Sequence, residues 1–214
     1  MNKILCFTLS ALATAALSTT TYAQEYQAAE GQLNSLFPEG KPYSPYAGRN
    51  FPERPLWGDN HLHTAMSMDA GGFGNRVRLA DAYRFARGEE IMASSGQPVR
   101  LSRPLDWLAI TDHSDGMGMI QDILSGSPNV TNYEQGARWS AAMRAGGQEA
   151  VDGALDLITT FSQGDVNPEM FANYSPGSRN YATIWDDVIN AAEDFNDPGR
   201  FTAFIGFEWT SLDA

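Results

Sequence analysis

Apolar residues follow two patterns along the chain: short continuous runs and helical spacing. The runs at 56–63, 105–111 and 201–209 have the length of strands. A glycine-rich stretch at 66–75 predicts a loop. Helices are predicted over 79–86 with Gly88 closing the helix, over 115–124, over two parts of 132–161 divided at Gly146 and Gly147, and over 183–195. This order of elements predicts an α/β fold with parallel strands and crossover helices.

The first 23 residues have the pattern of an export signal. Lys3 precedes an apolar stretch too short to span a bilayer, and Thr21-Tyr22-Ala23 offers small residues to a signal peptidase. A buried N-terminal helix is the alternative. We expect cleavage after Ala23 and a periplasmic or secreted protein with no membrane partner. Residues 24–55, rich in Pro, Gly, Tyr and Asn, predict an extended leader over the domain or, in the first half, a disordered tail.

Charge and cysteine content restrict the possible partners. The formal net charge is −12, and loss of Lys3 with the signal would make it more negative, so nucleic acid is not an expected partner. An anionic substrate would need a local reversal of sign, which a bound metal ion supplies. The single cysteine, Cys6, lies within the signal. Any metal in the mature chain must therefore bind to nitrogen and oxygen ligands.

His61-Leu62-His63 is the first candidate site, at the end of the first predicted strand. Residues i and i+2 of a strand point to the same face, so the two imidazoles are placed to bind one metal ion. The alternative is a pair of histidines with ordinary hydrogen bonds. Asp59 lies two residues earlier on the same face, where it could orient a histidine or simply occupy the strand.

Thr111-Asp112-His113-Ser114-Asp115 follows the second predicted strand. Catalytic groups gather at the carboxyl ends of parallel strands, which makes His113 a candidate ligand and Asp112 a candidate to orient a ligand. The alternative is a capping cluster for the next helix, because Ser114 and Asp115 both suit an N-cap. Both interpretations can hold together, with His113 binding metal and Asp115 capping.

Two carboxylates complete the candidate set. Glu208 follows the apolar run at 204–207, where a carboxylate is costly unless it is paired or bound to metal; a solvent-facing Glu is the alternative. Asp69, eight residues after His61, would by itself be a turn residue. The prediction of a metal site rests on a shared placement, because each of the chain's three histidines follows or ends a predicted strand.

At these residues the chain resembles the polymerase and histidinol phosphatase (PHP) superfamily. The match consists of His61-Leu62-His63-Thr64, Thr111-Asp112-His113 and Gly206-Phe207-Glu208. Within it, the sequences at 57–64, 81–88 and 103–107 look like an exported bacterial group known only as domain of unknown function 3604. The resemblance covers about 54–210.

The resemblance implies a distorted (β/α)7 barrel with two or three divalent metal ions, manganese, zinc or iron, at the carboxyl ends of the strands. By position, His61 and His63 look like ligands of a first metal ion, and Glu208 looks like the bridge to a second. His113 looks like a ligand of a third. Asp69 stands where many family members have a further histidine for that third metal ion.

The family also takes ligands from later strands, and no histidine follows His113 in this chain. We therefore expect residues 56–214 to be the N-terminal part of a longer PHP-like domain, with about the first three strands present. On that expectation the 214-residue chain binds metal poorly and has little activity alone.

The predicted function is an exported metal-dependent hydrolase of small anionic phosphorus esters: phosphomonoesters, phosphodiesters or phosphonate esters. One alternative is an amidohydrolase-type enzyme, which also begins with His-x-His but commonly uses a modified lysine; outside the signal the chain has only Lys41. Another is a non-catalytic metal-binding exported protein. Four arginines could contact substrate, although solvated surface positions are favoured for each: Arg76, Arg78, Arg100 and Arg103.

Overall fold

Three parallel strands form the sheet that carries the candidate residues. The structure, a computed structural model, describes residues 54–210. In chain order its elements are β1 (Gly58–Leu62), α1 (Met68–Gly71), α2 (Leu79–Ala86), β2 (Ile91–Met92), β3 (Pro98–Val99), β4 (Trp107–Ile110), α3 (Met119–Ser125), α4 (Pro128–Thr131), α5 (Glu134–Ala145), α6 (Gly147–Ser162), α7 (Pro168–Phe171), a 3-10 turn (Ala172–Tyr174), α8 (Arg179–Phe195) and β5 (Thr202–Phe204). The predicted signal and most of the leader lie outside the described residues.

The strand order is β1-β4-β5, so the order in space follows the order in sequence. Trp107 pairs with Gly58 on one side and with Thr202 on the other. A side chain at Gly58 is excluded because its Cβ would lie 2.1 Å from the indole of Trp107. The prediction of a parallel α/β sheet is confirmed. In the described residues the sheet is open, and the (β/α)7 barrel stays a prediction.

Helices α2 and α8 pack on the sheet and bury its apolar residues. Four apolar residues recur at helical spacing in α2 and are all buried: Leu79, Ala82, Tyr83 and Ala86. Gly88 follows the helix at a φ of 80°, as predicted. Tyr83 of α2 stacks on Phe195 of α8 with ring centroids 5.6 Å apart. Leu108 of β4 is fully buried between these layers. This core fixes the strands whose ends carry the histidines.

A second core lies among α3 to α7, the long helical excursion between β4 and β5. Its largest fully buried side chains include Trp139 of α5 and Leu157 of α6. The indole nitrogen of Trp139 donates to Asp156 over 2.7 Å, which satisfies the one polar atom of that ring. The predicted break at Gly146 and Gly147 is confirmed, since α5 ends at Ala145 and α6 begins at Gly147.

Several predicted elements differ from the structure. The loop predicted at 66–75 contains the short helix α1, and the β2–β3 hairpin was not predicted. The strand predicted at 201–209 is paired continuously only over Thr202–Phe204, and pairing returns at a single bridge between Glu208 and His113. Helix α8 begins at Arg179, four residues before the predicted start. Within 54–210, no helix is both long and apolar enough to cross a bilayer.

The prediction that Asp115 caps the next helix is wrong. Helix α3 begins at Met119 with Gly118 as its N-cap, at a φ of 91°, and receives no side-chain cap. Gly116 is also left-handed, at a φ of 70°, so two glycine turns separate Asp115 from the helix. The Asp115 carboxylate instead accepts a hydrogen bond from the Thr210 backbone N–H over 3.0 Å. It thereby ties the segment after Glu208 to the end of β4.

Candidate metal centre

The carboxyl ends of the three parallel strands bring all three histidines together. His61 and His63 project to the same side, as the i, i+2 spacing predicts, with ring centroids 5.1 Å apart and planes inclined by 27°. The ring of His113 stands edge-on to His63 at 5.1 Å. His61 lies at the solvent-facing edge of the cluster with 74% of its side chain exposed, whereas only 11% of the His63 side chain is exposed. His63 is therefore the centre of the cluster.

Glu208 joins the first pair of histidines. Its Oε2 lies 2.7 Å from Nε2 of His63 and 3.3 Å from Nε2 of His61. Backbone bonds hold it there, since its N–H donates to the Asp112 carbonyl and its own carbonyl accepts from Ser114. The alternative of a solvent-facing Glu208 does not hold, because its side chain is two-thirds buried and turned toward the imidazoles.

Asp69 connects the other side of His63 to His113. Its Oδ1 lies 2.8 Å from Nδ1 of His63, and its Oδ2 lies 3.5 Å from Nε2 of His113. The candidate ligands therefore form two overlapping groups, His61-His63-Glu208 and His63-Asp69-His113, each with its donor atoms within 4.8 Å of one another. The structure brings together all five residues that the sequence selected. Their role as metal ligands stays a prediction.

The carboxylates change the protonation of His63. Burial lowers the pKa of this imidazole, but the hydrogen bond and charge of Asp69, together with Glu208, outweigh burial and raise the pKa above 6.5. Burial likewise raises the pKa of Asp69, but hydrogen bonds from Ser67 and His63 outweigh it and lower the pKa below 3.8. Without a metal ion, the pair therefore favours an imidazolium between two carboxylates.

The two aspartates predicted to orient histidines bond elsewhere. Asp59 accepts a hydrogen bond from the backbone N–H of His61 over 2.9 Å and shapes the strand end rather than contacting a ring. Asp112 is buried and accepts from both the N–H and the hydroxyl of Thr64, the latter over 2.7 Å. Burial raises the pKa of Asp112 despite these bonds. Asp112 thus positions the residue next to His63.

Ser67 and Thr210 are two contacts of the site that sequence reasoning did not select. The Ser67 hydroxyl is buried, lies 3.0 Å from Nδ1 of His63 and accepts a hydrogen bond from the His113 N–H over 3.2 Å. Thr210 Oγ lies 3.1 Å from Nδ1 of His113. Hydroxyls carry no periodic signal, and only the place of Thr210 two residues after Glu208 could have indicated its role.

Among the candidate arginines, Arg76 has a structural contact. Its guanidinium donates to the carbonyls of Gly71 and Asn75 at 2.7 and 2.8 Å. These bonds close the loop that carries Asp69. Arg103 lies 4.0 Å from the carboxylate of Asp106, away from the histidines.

Residues 50–214 match the family described as protein of unknown function (DUF3604). The chain belongs to this family. The resemblance to domain of unknown function 3604 is therefore confirmed. No curated protein and no solved structure matches the chain.

The donor set of this DUF3604 chain fits a divalent cation. Nε2 of His63 and Oε2 of Glu208 are buried, and within residues 54–210 neither atom has an aligned hydrogen-bond partner, although they lie 2.7 Å apart. Two lone pairs this close repel each other unless a proton or a cation lies between them. Imidazole and carboxylate ligands suit manganese, iron and zinc.

Proposed function

We propose that this DUF3604 protein is an exported metal-dependent hydrolase of phosphorus esters. The observation that carries the proposal is the convergence of His63 Nε2 and Glu208 Oε2, buried and 2.7 Å apart, with His61 Nε2 3.3 Å from the same oxygen. Two nitrogen donors and a carboxylate are three protein ligands, the number with which catalytic metal sites keep a further position for water or substrate.

We further propose that the fold is the first part of a PHP-like distorted (β/α)7 barrel. Two observations support this. The parallel strands are neighbours in chain order, which is the arrangement of a barrel wall. The three histidines and Glu208 lie at or after the carboxyl ends of these strands, where barrels place their catalytic groups.

The residues have separate tasks in this proposal. His61, His63 and Glu208 would hold a first divalent ion, and Asp69 with His113 would hold a second one. When bound, the ions would polarise the phosphoryl oxygen as Lewis acids and lower the pKa of a water molecule toward neutrality. His61, the most exposed of the three histidines, borders the side from which substrate would enter. Ser67 and Asp112 keep the two strand ends in register behind the ligands.

Binding of an anionic substrate depends on the bound cations in this proposal. Within 54–210 there is no lysine, and Arg76 is bonded to the backbone. The net charge of −12 repels free anions. The cations themselves would therefore provide the attraction for a phosphoryl group.

Hydrolysis by the 214-residue chain, and by any longer natural product that contains it, tests the proposal. Candidate substrates are p-nitrophenyl phosphate, its diester and a phenylphosphonate ester, each with Mn²⁺, Zn²⁺ or Fe²⁺. We expect ester cleavage that chelators abolish, with little activity from the 214-residue chain alone and more from a longer product. The Glu208→Gln variant should lose it, whereas Glu149→Gln, at an exposed position of α6, should keep it. Cleavage of an anilide or a lactone instead would favour an amidohydrolase. Bound metal with no hydrolysis of any substrate would favour a non-catalytic protein.

Export is proposed from the signal-like residues 1–23. The protein expressed in a Gram-negative host should appear in the periplasm or medium with Gln24 at its N-terminus. Retention in the cytoplasm with Met1 intact would overturn this part of the proposal.

A further inference from the structure

The hydrogen bonds of His63 differ at its two ring nitrogens. Nδ1 lies 2.8 Å from Asp69 Oδ1 in hydrogen-bonding geometry, whereas Nε2 faces Glu208 at 2.7 Å without such alignment. An ionised carboxylate only accepts hydrogen bonds, so the short contact with Asp69 requires a proton on Nδ1. In the neutral ring, that tautomer leaves Nε2 without a proton on the side of Glu208 and His61.

From this contrast we infer that Asp69 is a positioning residue: it fixes the Nδ1–H tautomer of His63 and thereby presents Nε2 to the metal site. The inference rests on the proposed metal centre, and it gives Asp69 a role beyond that of a ligand. The positioning role uses only Oδ1 of Asp69, so its Oδ2 remains available beside His113. A carboxylate behind a histidine orients the ring and raises its basicity as a ligand.

The loop around Asp69 is built to hold that carboxylate still. Its backbone is bonded at both ends, with the Ala65 N–H donating to Val77 over 2.7 Å and the Gly71 N–H donating to Ser67 over 2.7 Å. Gly71 packs so closely that a Cβ there would lie 2.3 Å from the Ala65 carbonyl oxygen. These contacts define where the Asp69 side chain begins, so its short distance to His63 is a consequence of the fold.

Ser67 is compatible with the same tautomer. Its oxygen accepts from the His113 N–H over 3.2 Å and lies 3.0 Å from Nδ1 of His63. A hydroxyl oxygen has two lone pairs, so Ser67 can also accept from Nδ1–H.

His61 provides an internal comparison. It lies in the same strand-end segment, and its Nε2 faces the same Glu208 oxygen at 3.3 Å. Asp69 bonds to His63 and approaches His113, not His61. A change at Asp69 should therefore alter the tautomer of His63 and leave that of His61 unchanged.

Nitrogen NMR of the metal-free protein tests the inference without any metal or substrate. At a pH where the histidines are neutral, His63 should be protonated at Nδ1 in the wild type and in Asp69→Asn, whose amide oxygen still accepts. The Asp69→Ala variant should shift His63 to Nε2–H. A wild-type Nε2–H tautomer, or no change in Asp69→Ala, would overturn the inference.

Zinc affinity, measured by competition with a chelating dye, provides the second readout. We expect Asp69→Ala to weaken binding by roughly 10–100-fold and Asp69→Asn to recover most of the loss. Equal losses of affinity for the first ion in both variants would show that Asp69 acts there only through its charge and would overturn the positioning role. Asp186→Ala and Asp186→Asn, at an exposed position of α8, are the matched controls. If zinc does not bind at all, the proposed function fails, while the tautomer measurement still decides this inference.

Discussion

The Asp112 carboxylate at the end of β4 accepts two hydrogen bonds from Thr64, one from its backbone N–H and one from its hydroxyl over 2.7 Å. Both side chains are buried, at 3% and 0% exposure. The pair joins two strand ends beyond the last ladder contact, between Leu62 and Ile110. It therefore sets the distance between the His63 and His113 backbones.

Removing the Thr64 hydroxyl should destabilise the fold. Thr64→Val keeps the shape of the side chain but leaves an Asp112 oxygen buried without that donor, which costs about 1–3 kcal/mol of unfolding free energy. Urea denaturation measures the change. Thr159→Val, on the exposed face of α6, makes the same replacement and should change stability by less than about 0.5 kcal/mol. Equal effects in the two variants would contradict the proposed strength of the Thr64–Asp112 pair.

The His63–Asp69 ion pair should make the stability of the metal-free protein depend on pH. Because the pKa of His63 is raised in the fold, its contribution is complete below 6.5 and is lost as pH rises through the raised value. Because the pKa of Asp69 is lowered, its contribution is present above 3.8 and is lost as pH falls through the lowered value. The pair therefore stabilises most between these limits.

The difference in unfolding free energy between the wild type and Asp69→Asn measures this contribution. It should be largest at about pH 5, inside the window set by the ordinary pKa values of 3.8 and 6.5, and should shrink on both sides. Chemical denaturation across pH in the presence of a chelator gives the curve. The Asp186→Asn difference should show no such maximum. A difference for Asp69→Asn that is independent of pH would contradict the coupling.

The strand ends of the site were predictable because local pattern determines them. An apolar run followed by a histidine marks where a buried strand ends, and the i, i+2 rule aligns His61 with His63. Parallel pairing then brings His113 beside Glu208. These features depend on spacing along the sequence, so composition and period were sufficient to find them.

The contacts of Asp69 were not predictable in the same way. Its approach to both His63 and His113 depends on how residues 64–77 fold back, and that fold is held by Arg76 and by backbone bonds that have no periodic signal. The strands of the β2–β3 hairpin have two residues each, too few to show alternation. The start of α3 was misplaced because Gly116 and Gly118 turn the chain before the helix can begin.

The helical core should be sensitive to cavities at Leu157. This side chain is fully buried among the side chains of α3 to α7. Leu157→Ala should therefore cost about 2–5 kcal/mol, the sum of lost burial and an incompletely filled cavity. Leu155→Ala, two residues earlier in α6 and 50% exposed, should cost much less. Thermal unfolding of both variants provides the comparison, and similar losses would show that α6 does not bury the Leu157 face.

The three histidines should differ in their contribution to zinc binding. His63 is the most buried and belongs to both candidate groups, so His63→Ala removes a donor from each. We expect an affinity loss of more than about 100-fold, beyond that of losing an orienting partner. His61 is 74% exposed and lies farther from Glu208, so water can replace its nitrogen and His61→Ala should lose about 10-fold in affinity.

His113→Ala should lower the number of bound ions and leave the first site occupied. Titrations with zinc, read by calorimetry and elemental analysis, separate affinity from stoichiometry. Equal losses for His61→Ala and His63→Ala would mean that burial does not rank these ligands, and full stoichiometry in His113→Ala would remove the case for a second ion.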